Sequence, residues 1–245
     1  MTIIIDLHSI VLWPNSVGGL QLEHQTLAKR LKKEGYRSAL VGKWHLGVGT
    51  ERQYLPPNHG FDYYLGIPYS HDMCPCHQCF PDEHCFDSCR PEMVGCPLFN
   101  GTSIIEQPTS LTSLTQKYTQ AGLQFIEKSS VDDKAPFFLQ MAYHQTHHPQ
   151  FSQSWANSSS RGHFGRALSE MDESIGTLLS KLDELGIRNN TLIIFTSDNG
   201  YFSFSAFFQV TSDRFFNCAQ FDATHSRRLC WPLQMRKRYN VGRRS

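Results

Sequence analysis

Long apolar runs, a strong net charge and a leader-like beginning are all missing from this sequence. No apolar stretch approaches the roughly 18 residues that a transmembrane helix needs, so we expect no such helix. The formal net charge is +1, which gives no general attraction to nucleic acid or to acidic membranes. The first residues include three consecutive isoleucines but no basic segment or clear cleavage site, and they therefore do not predict a signal peptide.

The chain is long enough for one sizeable domain. Its 245 residues are 40% hydrophobic, which suffices for a full core. Apolar spacing predicts a helix followed by a strand three times, with helices over 26–33, 111–128 and 167–185 and strands over 39–41, 137–141 and 191–196. The residues between 46 and 109 are rich in proline and cysteine and are interpreted as a long irregular loop. This alternation indicates an α/β protein with a mainly parallel sheet flanked by helices.

Six of the eight cysteines lie close together between residues 74 and 96. This density favours an oxidising compartment and a loop held by disulfides, although the spacing alone leaves the pairing open. Cysteine pairs at 76 and 79 and at 85 and 89 would also provide four zinc ligands, but a zinc module usually separates its pairs further. Glycosylation sequons at Asn100, Asn157 and Asn189 also point to a secretory route.

Polar side chains follow each of the three predicted strands: Lys43 and His45, then His144 and His147, then Asp198 and Asn199. Because the carboxyl ends of parallel strands lie at one edge of a sheet, these side chains should converge on one site. A fixed cation beside a titratable nitrogen donor suits an anionic substrate, such as a sulfate or phosphate ester. The oxygens of Asp198 and Asn199 suit calcium or magnesium, although the same dipeptide commonly starts an ordinary turn. His144 and His148 are interpreted as loop histidines with satisfied ring nitrogens.

Several motifs, in order along the chain, resemble those of the sulfatase family. The segment Gly35–His45, which ends in Gly-Lys-Trp-His, is similar to the second signature of that family. Leu55–Pro57, Gly60-Phe61, Gly66–Asp72 and Thr146–Phe151 also match the family. The resemblance covers about residues 11–200 and implies the alkaline-phosphatase-like fold of the sulfatases, of which we expect an incomplete copy here.

The resemblance also implies roles for individual side chains. Lys43 and His147 match residues that hold the sulfate group, and His147 can also protonate the leaving oxygen. His45 matches the residue that hydrogen-bonds the nucleophile, and Ser70 matches a sulfate-binding serine. The Asp198-Asn199 pair looks like two of the family's metal ligands, which implies a half-site for Ca²⁺ or Mg²⁺.

For the cysteine-rich loop, the resemblance favours two nested disulfides, Cys76–Cys89 and Cys79–Cys85, and leaves Cys74 and Cys96 for one further bridge. The family context implies a glycosylated lysosomal hydrolase of sulfate esters, whose substrate is a sulfated small molecule or glycolipid. It implies no nucleic-acid partner and is compatible with a homo-oligomer.

The sequence departs from the family pattern on both sides of the matched motifs. No Cys-x-Pro-Ser-Arg motif, the source of the formylglycine nucleophile, is found, and Cys230-Trp231-Pro232 lacks the serine and arginine. The Asp-Asp pair that completes the family's metal site is also not found, because Asp132-Asp133 precedes a strand instead of following one. Both elements would be expected before Val11, so we expect no turnover by these residues alone. Residues 201–245 are interpreted as a basic, phenylalanine-rich tail outside the family domain.

Two alternative functions stay open at this point. One is a catalytically dead isoform that binds substrate or pairs with a full-length subunit. The other is a phosphatase or phosphodiesterase of the same superfamily, which would need a serine or threonine nucleophile after the first strand.

Overall fold

The computed structural model describes residues 11–74, 95–153 and 160–197. The chain divides into two compact units, Met1–Thr191 and Leu192–Ser245. All helices and strands of the described residues belong to the first unit, and residues 192–197 are the described part of the second. Outside the described residues lie the predicted metal ligands Asp198 and Asn199, the tail 201–245, the Asn157 sequon, and the cysteines Cys76, Cys79, Cys85 and Cys89.

A five-stranded sheet forms the centre of the first unit, with the strand order β4-β3-β2-β1-β5. The strands are β1 (Arg37–Gly42), β2 (Tyr63–Gly66), β3 (Leu98–Asn100), β4 (Ser103–Glu106) and β5 (Phe137–Ala142). β1 pairs in parallel with β2 and with β5, whereas β3 pairs antiparallel with β2 and with β4. The predicted α/β class is confirmed, and the β3–β4 hairpin makes the sheet a mixed one.

Three of these strands, β2 to β4, lie inside residues 46–109, which the sequence pattern favours as loop. That interpretation is wrong for these short segments. Each strand has only three or four residues. So short a run shows too few alternations for its period to stand out from neighbouring prolines and glycines.

The predicted third strand, over residues 191–196, is also wrong. Residues 191–197 have no regular secondary structure, and the side chains of Leu192 and Ile194 are 87% and 77% exposed. Apolar and β-branched residues favour a strand, but a strand also needs a neighbour to complete its hydrogen bonds. None of the described strands pairs with this segment. Asp198 and Asn199 were expected at the sheet edge because of this strand.

Three α-helices match the three predicted ones: α1 (Leu27–Lys33), α2 (Leu114–Glu127) and α3 (Gly162–Glu184). Thr26 caps α1, because its side-chain oxygen accepts a hydrogen bond from the amide of Lys29 at 3.1 Å. Gly35 follows α1 with a φ of 81°, the left-handed conformation that commonly ends a helix. None of the helices in the described ranges is long and apolar enough to cross a membrane.

Helix α3 buries its predicted apolar stripe, Leu168 to Leu185, in part. Leu178 and Leu182 of the stripe are buried, whereas nearer the start of the helix Glu170 and Ser174 are buried and the stripe is only partly so. Both polar side chains have partners, since the Glu170 carboxylate accepts a hydrogen bond from the amide of Gln153 at 2.8 Å, and the Ser174 hydroxyl lies 2.7 Å from that of Tyr143. Partners that are distant in sequence thus allow these two polar side chains to be buried.

Both faces of the sheet are buried along β1, β2 and the start of β3. Successive strand residues alternate between two apolar clusters, with Val41, Leu65 and Leu98 on one face and Leu40, Tyr64 and Phe99 on the other. Helix α2 covers the first face, and Ala28 of α1 packs on the second. Burial on both faces is typical of the parallel part of an α/β sheet.

A disulfide joins Cys74 to Cys96 within the first cluster. Their Cα atoms are 5.1 Å apart, and both residues are fully buried. The additional bridge that the resemblance allowed is therefore formed. It anchors the segment after β2 to the start of β3.

Two glycines allow the three parallel strands, β1, β2 and β5, to meet at their carboxyl ends. Gly42, the last residue of β1, has a φ of 120°, and a Cβ at this position would overlap with the carbonyl oxygen of Ala142 in β5. A Cβ at Gly66, the last residue of β2, would overlap with the carbonyl oxygen of Gly42. Only glycine permits this approach, because the backbone of each neighbouring strand occupies the space of a side chain.

We predict that Gly42→Ala destabilises the protein by about 3 kcal/mol or more, because overpacking and a positive φ act together. Gly176→Ala is the matched control, since this glycine lies within α3 with open space around its Cβ position. The control should stabilise by about 0.5–1 kcal/mol, the usual helix preference for alanine. Urea unfolding of both variants measures the difference, and equal effects would refute the role assigned to Gly42.

Candidate active site

The backbone after β1 is held by the segments that follow its two neighbours. The amide of Lys43 donates to the carbonyl of Ala142 at 2.8 Å, at the end of β5. The amide of His45 donates to the carbonyl of Pro68 at 3.0 Å, just after β2. The side chain between them, Trp44, packs into the cluster on the other face of the sheet. Lys43 and His45 are therefore fixed at the edge where the parallel strands end, as their position in the sequence predicts.

A chain of hydrogen bonds links the side chains that follow β1 and β2. The ammonium group of Lys43 donates to the hydroxyl of Ser70 at 3.2 Å. The Ser70 hydroxyl in turn hydrogen-bonds the carboxylate of Asp72. Burial opposes ionisation of Asp72, but the hydrogen bond from Ser70 and the nearby imidazole of His147 outweigh it and lower its pKa. The site thus contains a cation and an anion that share one buried serine.

Histidines from two segments pack together beside this chain. The ring of His71 makes edge contacts with His144 and His147, with centroid distances of 5.2 and 5.4 Å. His71 donates from Nε2 to the carbonyl of Pro149 at 2.9 Å. The rings of His147 and His148 stack at 4.7 Å, and His147 is the exposed member of the group.

The two innermost histidines are neutral at physiological pH. Burial, followed by the nearby His147, lowers the pKa of His71 to about 3. Burial lowers the pKa of His144 well below its usual value, and His71 and Lys43 lower it further. The sequence predicts hydrogen-bond partners for the ring nitrogens of His144. This prediction is wrong among the described residues, because neither ring nitrogen has a partner there.

One ring nitrogen of His45 is held by a backbone carbonyl. Its backbone has a φ of 58°, a left-handed conformation in which histidine is several-fold enriched. Nε2 donates to the carbonyl of Leu12 at 3.0 Å, which leaves the lone pair on Nδ1. Burial and then the charge of Lys43 lower its pKa. A neutral His45 can therefore accept a hydrogen bond from a hydroxyl nucleophile.

The structure thus brings Lys43, His45, Ser70 and His147 to one region, although they come from segments far apart in the chain. Sequence reasoning did not single out His71 and Asp72 as part of this region. The Ser-His-Asp run was available as a signal, because polar residues that follow an apolar segment often line a site. β2 has only four residues, too few for its pattern to predict a strand, so the position of this run after a strand is not visible in the sequence.

A match between the sulfatase family model and residues 6–229 decides the family. The chain belongs to the sulfatase family. The match continues beyond residue 200, where the recognisable motifs end, so the limits proposed for the domain and the tail stay predictions. A solved structure of the PsFucS1 sulfatase from Pseudoalteromonas sp. is 28% identical, covers 78% of this chain and 41% of its own, and superposes with a TM-score of 0.63.

Curated relatives are more similar to this chain in sequence than the PsFucS1 structure is. Human arylsulfatase A is 46% identical over 194 residues, which is 78% of this chain and 38% of that protein. Human arylsulfatase G is 40% identical, over 76% of this chain and 37% of its own length. Mouse N-acetylgalactosamine-6-sulfatase is also 40% identical, over 75% of this chain and 34% of its own. The chain therefore spans well under half the length of these relatives.

The predicted calcium or magnesium half-site has no counterpart among the described residues. The metal-ligating group found there combines Asp72 with His147 and His148. Two of these three donors are imidazole nitrogens, whereas calcium and magnesium take oxygen ligands. The hard-cation site thus stays a prediction that rests on Asp198 and Asn199.

A third buried histidine lies on the opposite face of the sheet. His59 is fully buried, and its ring centroid is 5.3 Å from that of Trp44. Burial and then the charge of Lys29 lower its pKa to about 4. Like His71 and His144, His59 is neutral in the folded protein.

We predict that the protein loses stability as the pH falls from 7 to 5. The unfolded chain binds protons below about pH 6.5, whereas these buried histidines resist protonation until lower pH. Each of these histidines can lower the free energy of unfolding by up to about 1.4 kcal/mol per pH unit. Urea unfolding at several pH values should show this slope, and His59→Phe should reduce it. His163→Phe, which removes an exposed histidine of α3, is the control and should leave the slope unchanged. Stability independent of pH over this range would contradict the prediction.

Proposed function

We propose that this chain binds sulfate esters, with Lys43, Ser70 and His147 holding the sulfate group. The observation that carries the proposal is the hydrogen bond between Lys43 and Ser70, beside the exposed imidazole of His147. An ammonium charge, the Ser70 hydroxyl once its proton turns from Asp72 to the anion, and the protonated His147 imidazole, which donates from Nε2, are complementary to the oxygens of a tetrahedral anion. Membership of the sulfatase family makes a sulfate ester the preferred anion.

The side chains of the site also suit separate catalytic tasks in sulfate ester hydrolysis. His147 is exposed and can deliver a proton to the leaving oxygen from its ring. His45 presents the lone pair of Nδ1, because its Nε2 donates to Leu12, and it can orient a hydroxyl nucleophile. Lys43 can compensate the negative charge that develops on the sulfate oxygens.

In the family the nucleophile is a formylglycine, and a bound metal ion would supply positive charge as a Lewis acid. These 245 residues contain no Cys-x-Pro-Ser-Arg motif, so we propose that by themselves they bind the ester without turning it over. The Asp198-Asn199 pair is proposed as half of a Ca²⁺ or Mg²⁺ site. These two residues and the nested disulfides of the cysteine-rich loop are assigned from the sequence.

The physiological setting is proposed from the relatives and the modification sites. The name of the relative arylsulfatase A supports an aryl sulfate or another small sulfate ester as substrate. A sulfated glycolipid as substrate and the lysosome as location are proposed from the family resemblance of the sequence. Asn100 and Asn189 have exposed side chains, which supports their use as glycosylation sites. The Cys74–Cys96 disulfide favours an oxidising compartment during folding. A substrate-binding isoform that pairs with a full-length subunit, or with a second copy of itself, is the alternative role.

We predict that the purified chain binds a chromogenic aryl sulfate but releases no measurable aryl alcohol. Lys43→Ala should weaken binding by about 10- to 100-fold, the usual loss for a hydrogen bond to a charged group. Lys33→Ala, which removes an exposed lysine of α1, is the matched control and should leave the affinity unchanged. Equilibrium dialysis measures the affinity, and absorbance measures the release of the alcohol.

Three outcomes would count against this proposal. Equal affinities of the wild-type and Lys43→Ala chains would remove Lys43 from the site. Turnover within about tenfold of an intact family member, abolished by Lys43→Ala, would show that these residues contain a nucleophile. Tighter binding of the matching aryl phosphate would favour the phosphatase alternative.

A further inference from the structure

Asp72, His147 and His148 form a group of metal-ligating side chains at the rim of the proposed sulfate site. Each offers one ligand atom, and these atoms all lie within 4.8 Å of one another. We infer that this group, called here the His-Asp cluster, binds a divalent transition-metal ion, with zinc as the best match. This inference concerns a different ligand from the sulfate ester and goes beyond the proposed function.

The donors lie close enough for small side-chain movements to complete a four-coordinate site. Nitrogen and oxygen ligands lie about 2.0–2.2 Å from zinc, so tetrahedral geometry separates neighbouring ligand atoms by about 3.4 Å, which is less than the 4.8 Å limit within which these atoms lie. His147 is exposed and His148 is half-buried, and rotation of these side chains can bring the donors together. Three protein ligands would leave one position for water or another small ligand.

A backbone hydrogen bond prepares His147 as a ligand. Its Nδ1 lies 2.6 Å from the carbonyl oxygen of His148. A carbonyl can only accept, so Nδ1 carries the proton and the lone pair is on Nε2. Metal-bound histidines characteristically donate their second ring nitrogen to a carbonyl or carboxylate, which fixes the tautomer and the ring orientation.

The third ligand, Asp72, is an oriented carboxylate. The Ser70 hydroxyl hydrogen-bonds it, which is the usual support for a carboxylate that binds a metal. A carboxylate has several lone pairs and can accept this bond while it binds an ion. Two imidazoles and one carboxylate select zinc or a neighbouring transition metal over calcium and magnesium.

Occupancy of the His-Asp cluster would affect the sulfate site, and this consequence rests on the proposed function. His147 cannot use Nε2 for a metal and donate from the same atom to a sulfate oxygen. Bound zinc should therefore reduce the affinity for an aryl sulfate. The ion would act as an inhibitor at the rim of the site.

In the first experiment, Co²⁺ is added as a spectroscopic substitute for zinc to the full chain, whose disulfides are kept intact. We expect one bound ion with d–d bands in the visible region and no thiolate-to-cobalt charge-transfer band. His148→Ala should weaken binding by more than the roughly 10- to 100-fold typical of a lost outer-shell partner. His24→Ala, which removes an exposed histidine elsewhere, should bind as the unchanged chain does. Circular dichroism confirms that the variants are folded.

Clear results would overturn the inference. A strong thiolate band would place the ion at cysteines of residues 74–96. Equal binding by the His148→Ala and unchanged chains would exclude the His-Asp cluster, as would an equal loss in His24→Ala.

Lys43→Ala distinguishes the metal site from the sulfate site. Lys43 is not a metal ligand, so this variant should retain cobalt binding while it loses aryl sulfate affinity. Cobalt binding that persists when aryl sulfate binding is absent even in the unchanged chain would refute the proposed function alone. Aryl sulfate binding without any cobalt binding would refute the metal site alone.

Discussion

The site depends on the close backbone approach of β1 to its two parallel neighbours. Because Gly42 and Gly66 have no side chains, the ends of β1, β2 and β5 come within hydrogen-bond distance of one another. The amides that follow β1 then bond to carbonyls on both sides, which fixes the direction of the chain at Lys43 and His45. Rigid backbone of this kind holds a constellation more accurately than a loop does.

The site has a buried, neutral interior and a charged rim. His71 and His144 lie inside, stay neutral and fill space between the strand ends and Phe151. The charged groups, Lys43 and Asp72, lie nearer the rim and are joined through Ser70. A neutral interior lowers the local dielectric constant, which strengthens the interaction of the rim charges with an incoming anion or cation. The same arrangement can therefore serve two ligands of opposite charge.

The sequence predicts those parts of the structure that local pattern controls. The strands β1 and β5 contain the apolar runs 39–41 and 137–141 and pair over six residues, and their positions and the side chains that follow them could be predicted. Burial of Ser174, by contrast, depends on Tyr143, which lies in another element. The strand proposed over 191–196 failed for a related reason, because its apolar residues have the right character but no described strand beside them. Pairing between distant segments is information that a local pattern does not contain.

The Cys74–Cys96 disulfide closes a ring in the chain, with a sequence separation of 22 between its cysteines. The two ends of this ring are fixed in the core, next to the segment that carries Ser70 and Asp72 on one side and to β3 on the other. The bond therefore ties the segment that carries Ser70 and Asp72 to the start of β3. Replacement of either cysteine would release these two parts of the chain from one another, so the order of the site depends on a covalent bond that contributes no side chain to it.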